Sequence, residues 1–242
     1  MDVFAKQRQK QRGEYLMKPF IRQCFTIGMV VAMGWASNAQ AWEAGDWLVR
    51  LRGINIDPDT SSDPINAPAL GGLVPGSSVR VDAAITPELD FTYMLSDHFG
   101  LELILATAEH TVSAAGAASN LGDVLDTWVL PPTLTLQYHF LPQGNVQPYI
   151  GVGANYTIFY SEDLADGFAA SGDSVDLDDS FGIALQAGID FKLDNDWFIN
   201  VDVKYIDMST DATIRNSSAG DIFVNGVDID PWVYGIGFGK RF

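Results

Sequence analysis

The sequence predicts an all-β protein: an eight-stranded antiparallel transmembrane β-barrel with short periplasmic turns and long extracellular loops. Three observations carry this expectation. Eight segments alternate large apolar residues with small or polar ones at period 2. Most of them run ten residues or more, which suits a tilted membrane strand of about 9–11 residues rather than a globular strand of about 5–6. Connections between the segments alternate short and long without exception, as the two ends of an outer-membrane barrel do.

The chain opens with an export pattern. Lys6, Arg8, Lys10, Arg12, Lys18 and Arg22 form a basic stretch, residues 25–36 are mostly apolar, and Ala39-Gln40-Ala41 is an A-x-A cleavage site. Residues 1–41 are therefore expected to be an N-terminal extension and signal peptide, and residues 42–242 one barrel domain. Met17-Lys18 makes a normal start for such a signal, so residues 1–16 read as an upstream extension. The apolar run is too short for a spanning helix, which takes about 20 residues.

Each strand has an apolar face, expected to meet lipid. In residues 46–56 it is Trp47, Val49 and Leu51 against Arg50 and Arg52, and in residues 80–95 it is Leu89, Phe91, Tyr93 and Leu95 against Glu88, Asp90 and Thr92. Residues 99–110 set Phe99, Leu101, Leu103 and Leu105 against Glu102, Ile104 and Ala106. Residues 128–140 set Leu134, Leu136, Tyr138 and Phe140 against Thr133, Thr135, Gln137 and His139. In residues 148–160, Ile150, Val152, Tyr156, Ile158 and Tyr160 oppose Gly151, Gly153, Asn155 and Thr157. In residues 180–193, Ile183, Leu185, Ile189, Phe191 and Leu193 oppose Gln186, Gly188, Asp190 and Lys192. Residues 197–208 set Ile199, Val201, Val203 and Tyr205 against Asn200, Asp202, Lys204 and Met208. The last strand places Trp232, Tyr234, Ile236, Phe238, Lys240 and Phe242 on one face and glycines and Arg241 on the other. Residues 57–79, 111–127, 161–179 and 211–229, rich in Gly, Ser, Ala and Asp, are expected to be loops.

Composition narrows the function. Six of the 14 Lys+Arg and two of the 31 Asp+Glu lie in residues 1–41, leaving 8 against 29, a net of −21 for the expected barrel. Nucleic acid is excluded as a partner by that sign. Cys24 is the single cysteine and precedes the cleavage site, so disulfide and cysteine–metal chemistry are not expected in the barrel.

Several stretches together resemble the OmpW family of outer-membrane proteins. They are Leu89-Asp-Phe-Thr-Tyr-Met94, Leu130-Pro-Pro-Thr-Leu134, Pro148-Tyr-Ile-Gly-Val-Gly-Ala-Asn-Tyr-Thr157, Asp179-Ser-Phe-Gly182, Asp230-Pro-Trp-Val233 and the terminal Gly-Lys-Arg-Phe242. The resemblance runs from Trp42-Glu-Ala-Gly45 to the end. It implies an eight-stranded barrel of the Gram-negative outer membrane and passage of small hydrophobic molecules across the outer leaflet. Lys240 departs from the pattern, which has an aromatic there; its ammonium can reach the interface while its stem stays in lipid. The C-terminal strand ending in Phe242 is the expected contact with the barrel assembly machinery, and lipid and lipopolysaccharide the expected surroundings.

The inward faces decide the mechanism, because an eight-stranded barrel is just wide enough to be filled or to hold one small ligand. Near the short turns they carry Arg50, Asp90, Glu102, His139, Asp190, Lys192, Asp202, Lys204 and Arg241. Both signs are present and are expected to pair as a periplasmic charge plug. Near the long loops they carry Ile54, Ile56, Ala84, Ile104, Ala106, Ala108, Pro131, Phe159, Ala184, Ile206, Met208 and Val233. This half reads as a pocket for an apolar solute. Pro87, Pro131 and Pro132 lack N–H groups and leave the ladder incomplete, which marks the expected lateral opening into the membrane. No cofactor, metal or catalytic residue is expected.

Two other readings are open at this stage. A structural, adhesive or receptor barrel would use its acidic loops, where Asp57, Asp59 and Asp63 cluster in the first and Glu162, Asp163, Asp166, Asp173, Asp176, Asp178 and Asp179 in the third. These carboxylates lack EF-hand spacing and read as a solvated surface. A lipid-modifying enzyme would use His110 and Ser113 as base and nucleophile; His110 reads instead as a solvated strand end.

Overall fold

The computed structural model describes residues 41–165, 173–217 and 220–242. The expected signal peptide, apart from Ala41, lies outside them. Eight long strands close on themselves: β1 (Trp47–Asp57), β2 (Ala84–Met94), β3 (Phe99–Ala106), β4 (Thr133–His139), β5 (Val146–Leu164), β6 (Ser180–Lys192), β7 (Trp197–Ile206) and β8 (Trp232–Arg241). Every neighbouring pair is antiparallel, and β8 returns to β1 through Leu48↔Arg241 to Asp57↔Trp232. Closure leaves the spanning strands without a free sheet edge, the condition for β-structure in lipid.

The register places every predicted apolar face outside. Leu136, Leu185 and Phe238 are exposed, whereas Arg50, Asp90, Glu102, Gln137, Asp190 and Asn200 are fully buried inside the tube. Outside, aromatics form two belts with aliphatics between them. Trp47–Tyr93, Phe99–Tyr138 and Tyr138–Phe140 pack near the short turns, and Trp128–Tyr160 and Tyr205–Trp232 near the other end. Lys240 lies 5.4 Å from the Trp197 ring and 5.5 Å from that of Phe242, inside the lower belt. Its ammonium sits at the interfacial level, as a snorkelling lysine does.

The connections expected as loops fold further than their composition suggested. Ser77–Val81, Ala108–Gly116 and Asp123–Leu130 continue the barrel sheet beyond the spanning strands, the last pairing with the upper half of β5. Ser174–Leu177, Ser209–Arg215, Ile222–Asp228, Asn66–Ala67 and Gly72–Leu73 form a second sheet. The physical reason is alternation hidden among small polar residues. Thr210, Ala212 and Ile214 are buried while Asp211 and Arg215 are exposed, which is a strand pattern despite the Ser, Thr and Asp content. The expected third strand is also interrupted: it stops at Ala106 and resumes at Ala108.

Candidate functional site

Three levels divide the lumen. At the periplasmic floor, Trp42, Leu48, Met94 and Phe198 form a small apolar cluster, with the Trp42 and Phe198 rings 5.2 Å apart. Glycine makes this possible, since a Cβ at Gly239 of β8 would overlap the Phe198 ring. Lys192 and Arg241, expected in the plug, belong to this floor instead. Lys192 lies 4.1 Å from the Trp42 ring and donates to the Pro142 carbonyl at 3.1 Å. Arg241 pairs with Asp196 at 2.5 Å and donates to the Ala41 carbonyl at 2.8 Å. Both sit at strand ends, where backbone carbonyls and turn carboxylates are nearer than the opposite wall.

Above the floor a buried ion network spans the tube. Arg50 pairs with Asp190 at 2.8 Å and Glu102 at 3.3 Å. Arg52 pairs with Glu88 and Asp90, each at 2.8 Å, and Asp202 at 3.4 Å. Lys204 meets Glu88 at 2.8 Å and Asp202 at 2.9 Å. Arg52 and Glu88 were absent from the expected plug, although both stand on inward positions; their depth, midway along the tube, assigned them to neither end. Neutral donors meet the surplus negative charge. Gln137 and Thr135 donate to Glu102 at 2.8 and 3.1 Å, Gln186 and Tyr149 to Asp202 at 2.9 and 3.1 Å, and Asn200 to Asp190 at 2.7 Å. His139 reaches this level through Gln137, at 3.2 Å, and through the Tyr149 ring, 5.3 Å away. Asp90 meets Arg52 as a charge contact without a hydrogen bond to either carboxylate oxygen; buried charges so paired are tolerated, whereas removing one partner leaves a costly orphan.

Above Glu88 and Lys204 the lumen turns apolar and opens. One cavity holds about 1130 Å³ of empty space, part of it continuous with solvent, and Ile54, Ile56, Ile104, Ala106, Pro131, Phe159, Ile206, Met208 and Val233 all line it. Further walls come from the folded extension: Val79, Val81, Leu125, Val129, Leu177, Ile214, Val224 and Ile229. Reading residues 57–79, 111–127, 161–179 and 211–229 as loops concealed all of these but Val81 and Val129, which stand in expected strands. The alternation of Leu125, Thr127 and Val129 was the signal that would have found them.

The three expected gate prolines surround one interruption. The β2–β3 ladder ends at Glu88↔Ala106, directly below Pro87. The β3–β4 ladder ends at Ile104↔Thr133, and pairing resumes only at Ala108↔Val129, with Pro131 and Pro132 in between. Missing N–H groups leave Leu105–Thr107 without a ladder on the β4 side, while Leu105 and Ala106 still pair with Leu89 and Glu88 of β2, so that Thr107 alone lacks a ladder partner on both sides. On the lipid side the Thr107 hydroxyl and the Tyr160 hydroxyl lie 2.7 Å apart, and Thr86 donates to the Thr107 carbonyl at 2.6 Å.

His110, expected to be solvated, is 6% exposed and lines the cavity. The extension of the sheet beyond Ala108 covers it. Its Nδ1 lies 2.9 Å from the Asp82 carbonyl, and burial holds its pKa below the ordinary histidine value. Ser113 donates to Asp123 at 2.8 Å, and no hydrogen bond joins it to His110 among the described residues. Of the acidic loop residues, Asp176 pairs with Arg215, Asp173 accepts from Asn216 at 3.1 Å, and Asp166 lies outside the described residues.

A closed eight-stranded tube, belted by aromatics and apolar outside between the belts, defines a transmembrane barrel of the bacterial outer membrane. The comparisons place it more narrowly. The chain belongs to the OmpW family, whose model matches residues 43–242. It is 34% identical to outer membrane protein W of Vibrio cholerae over 84% of this chain and 91% of that one. It is 30% identical to the dibenzothiophene metabolism operon protein PahQ of Pseudomonas aeruginosa, over 90% of this chain and 98% of that one. The crystal structure of the outer membrane protein OprG from Pseudomonas aeruginosa superposes with a TM-score of 0.78 at 40% identity, covering 84% of this chain and 99% of that chain.

Proposed function

We propose that this barrel takes up small hydrophobic molecules through its upper lumen and releases them sideways into the membrane. The observation that carries the reading is the change of lining within one tube. An apolar cavity stands on a buried ion network that an apolar solute would not readily cross. Ion and sugar channels need polar walls, so this lining disfavours them. A solute that enters from outside has one incomplete wall before it, between Pro87 on one side of β3 and Pro131–Pro132 on the other. The Thr107–Tyr160 hydrogen bond is then a latch across that wall. The name of the relative PahQ, from an operon of dibenzothiophene metabolism, agrees with an apolar solute. In the same reading residues 1–41 are removed on export, and the strand ending in Phe242 is presented to the assembly machinery.

The test is uptake of an alkane probe into vesicles whose outer leaflet is lipopolysaccharide, with and without the barrel. Ile104→Arg should lower barrel-dependent uptake by roughly tenfold, since a guanidinium in the cavity excludes an apolar ligand. Assembly, read by resistance of the folded band to detergent, should be unchanged. Equal uptake by both forms would refute the pocket.

A further inference from the structure

Within this cavity one pair of side chains is out of keeping with the apolar wall. His110 and Thr127 stand directly opposite each other on Ala108–Gly116 and Asp123–Leu130, and both line the cavity. Directly opposed residues have Cβ atoms about 4.5–5.5 Å apart, so their polar atoms form one patch. Since Nδ1 of His110 faces the Asp82 carbonyl at 2.9 Å, that nitrogen carries the proton and Nε2 keeps its lone pair. No described residue hydrogen-bonds to Nε2, and His110 as a whole is 6% exposed. Thr127 has only a 3.4 Å contact from its hydroxyl to the Trp128 carbonyl, beyond the usual O–H···O range of about 2.5–3.0 Å.

The other polar groups of the wall are committed. Thr210 donates to the Asp178 carbonyl at 2.7 Å, Thr133 to the Pro131 carbonyl at 3.0 Å, and Glu88 and Lys204 hold each other at 2.8 Å. A buried acceptor beside a spare hydroxyl, in an otherwise greasy wall, matches a ligand group that both donates and accepts.

We propose that His110 and Thr127 form a headgroup site for apolar molecules that carry one hydroxyl, such as aliphatic alcohols and phenols. The ligand hydroxyl donates to Nε2 of His110 and accepts from Oγ1 of Thr127. Its apolar body extends down toward Ile104, Ile206 and Met208. The site lies three residues beyond Thr107, so the bound molecule already has the order of the outer leaflet, polar end outward and apolar end toward the midplane. It passes the gap beside Thr107 without turning over. Burial, which keeps His110 neutral, preserves the acceptor at neutral pH.

This inference rests on the cavity being a ligand site, and the experiment separates the two. Barrel in lipid nanodiscs, with ¹⁵N-histidine and ¹³C-methyl labels, is titrated with 1-octanol and, separately, with 1-methoxyheptane, an ether of the same size that cannot donate. Both should shift the methyls of Ile104 and Ile206, but only 1-octanol should move the His110 Nε2 resonance toward its hydrogen-bonded position. In His110→Leu the preference for the alcohol should fall by about fivefold, the worth of one net hydrogen bond. Methyl shifts from both probes with a silent Nε2 would overturn the headgroup site and leave the apolar pocket standing. Silence of the methyls with both probes would overturn both. The wild-type measurement decides the matter even if His110→Leu does not fold.

Discussion

The lower and upper halves of one tube solve opposite problems with the same strands. Below, Arg50, Arg52 and Lys204 and five facing carboxylates pair across the tube with almost no exposed surface. Above, Ile54, Ile104, Phe159, Ile206 and Met208 stand around empty space. Neither half is the cheapest filling for an eight-stranded barrel, which could simply be packed with apolar side chains. The difference teaches that side-chain contact is dense in the floor and the network and sparse along the upper wall. Four substitutions break or sharpen that contrast.

The largest effect is expected in the network. Arg52→Ala strands Asp90 in the interior and leaves Glu88 and Asp202 with Lys204 alone, and should destabilise by about 3–5 kcal/mol, read from urea unfolding in lipid vesicles. Next come two phenylalanines, one at each level. Phe198→Ala opens a hole among Trp42, Leu48 and Met94 and should cost about 3–5 kcal/mol. Phe159→Ala should cost only about 1–2 kcal/mol, because one side of that ring already faces a void and has fewer contacts to lose. Equal losses would mean that the upper lumen is as tightly packed as the floor. The smallest effect on stability is at the latch. Tyr160→Phe removes one hydrogen bond, about 1 kcal/mol, and should speed alkane uptake by about twofold. A slower rate would detach Thr107 and Tyr160 from the exit.

Much of this was legible in the chain. Period-2 alternation gave the facing of Phe91, Leu136, Leu185 and Phe238 outward and of Arg50, Asp90 and Asp190 inward, because one face meets hydrocarbon and the other meets a crowded lumen. The family resemblance, carried by motifs such as Leu130-Pro-Pro-Thr-Leu134, agreed with the family match over residues 43–242. What escaped was depth. Arg52 and Glu88 lie where the two levels meet, and Lys192 and Arg241 pair with rim groups that only the turn geometry brings near. His110 and the walls from Val79 to Ile229 escaped for another reason. Their strands mix Ala, Ser, Asp and Gly with the apolar residues, and these poor strand formers hide the alternation that pairing beyond the membrane enforces.

The account turns on where an apolar molecule resides in the tube. Proton contacts from n-octane to the labelled barrel, measured by solid-state NMR in perdeuterated lipid, test it most directly. The expected result is contacts at the side chains of Ile104, Ile206 and Met208 and none at Thr92 or Gln186 in the ion network. Contacts at Thr92 and Gln186, or an absence of any lumen contact, would contradict it.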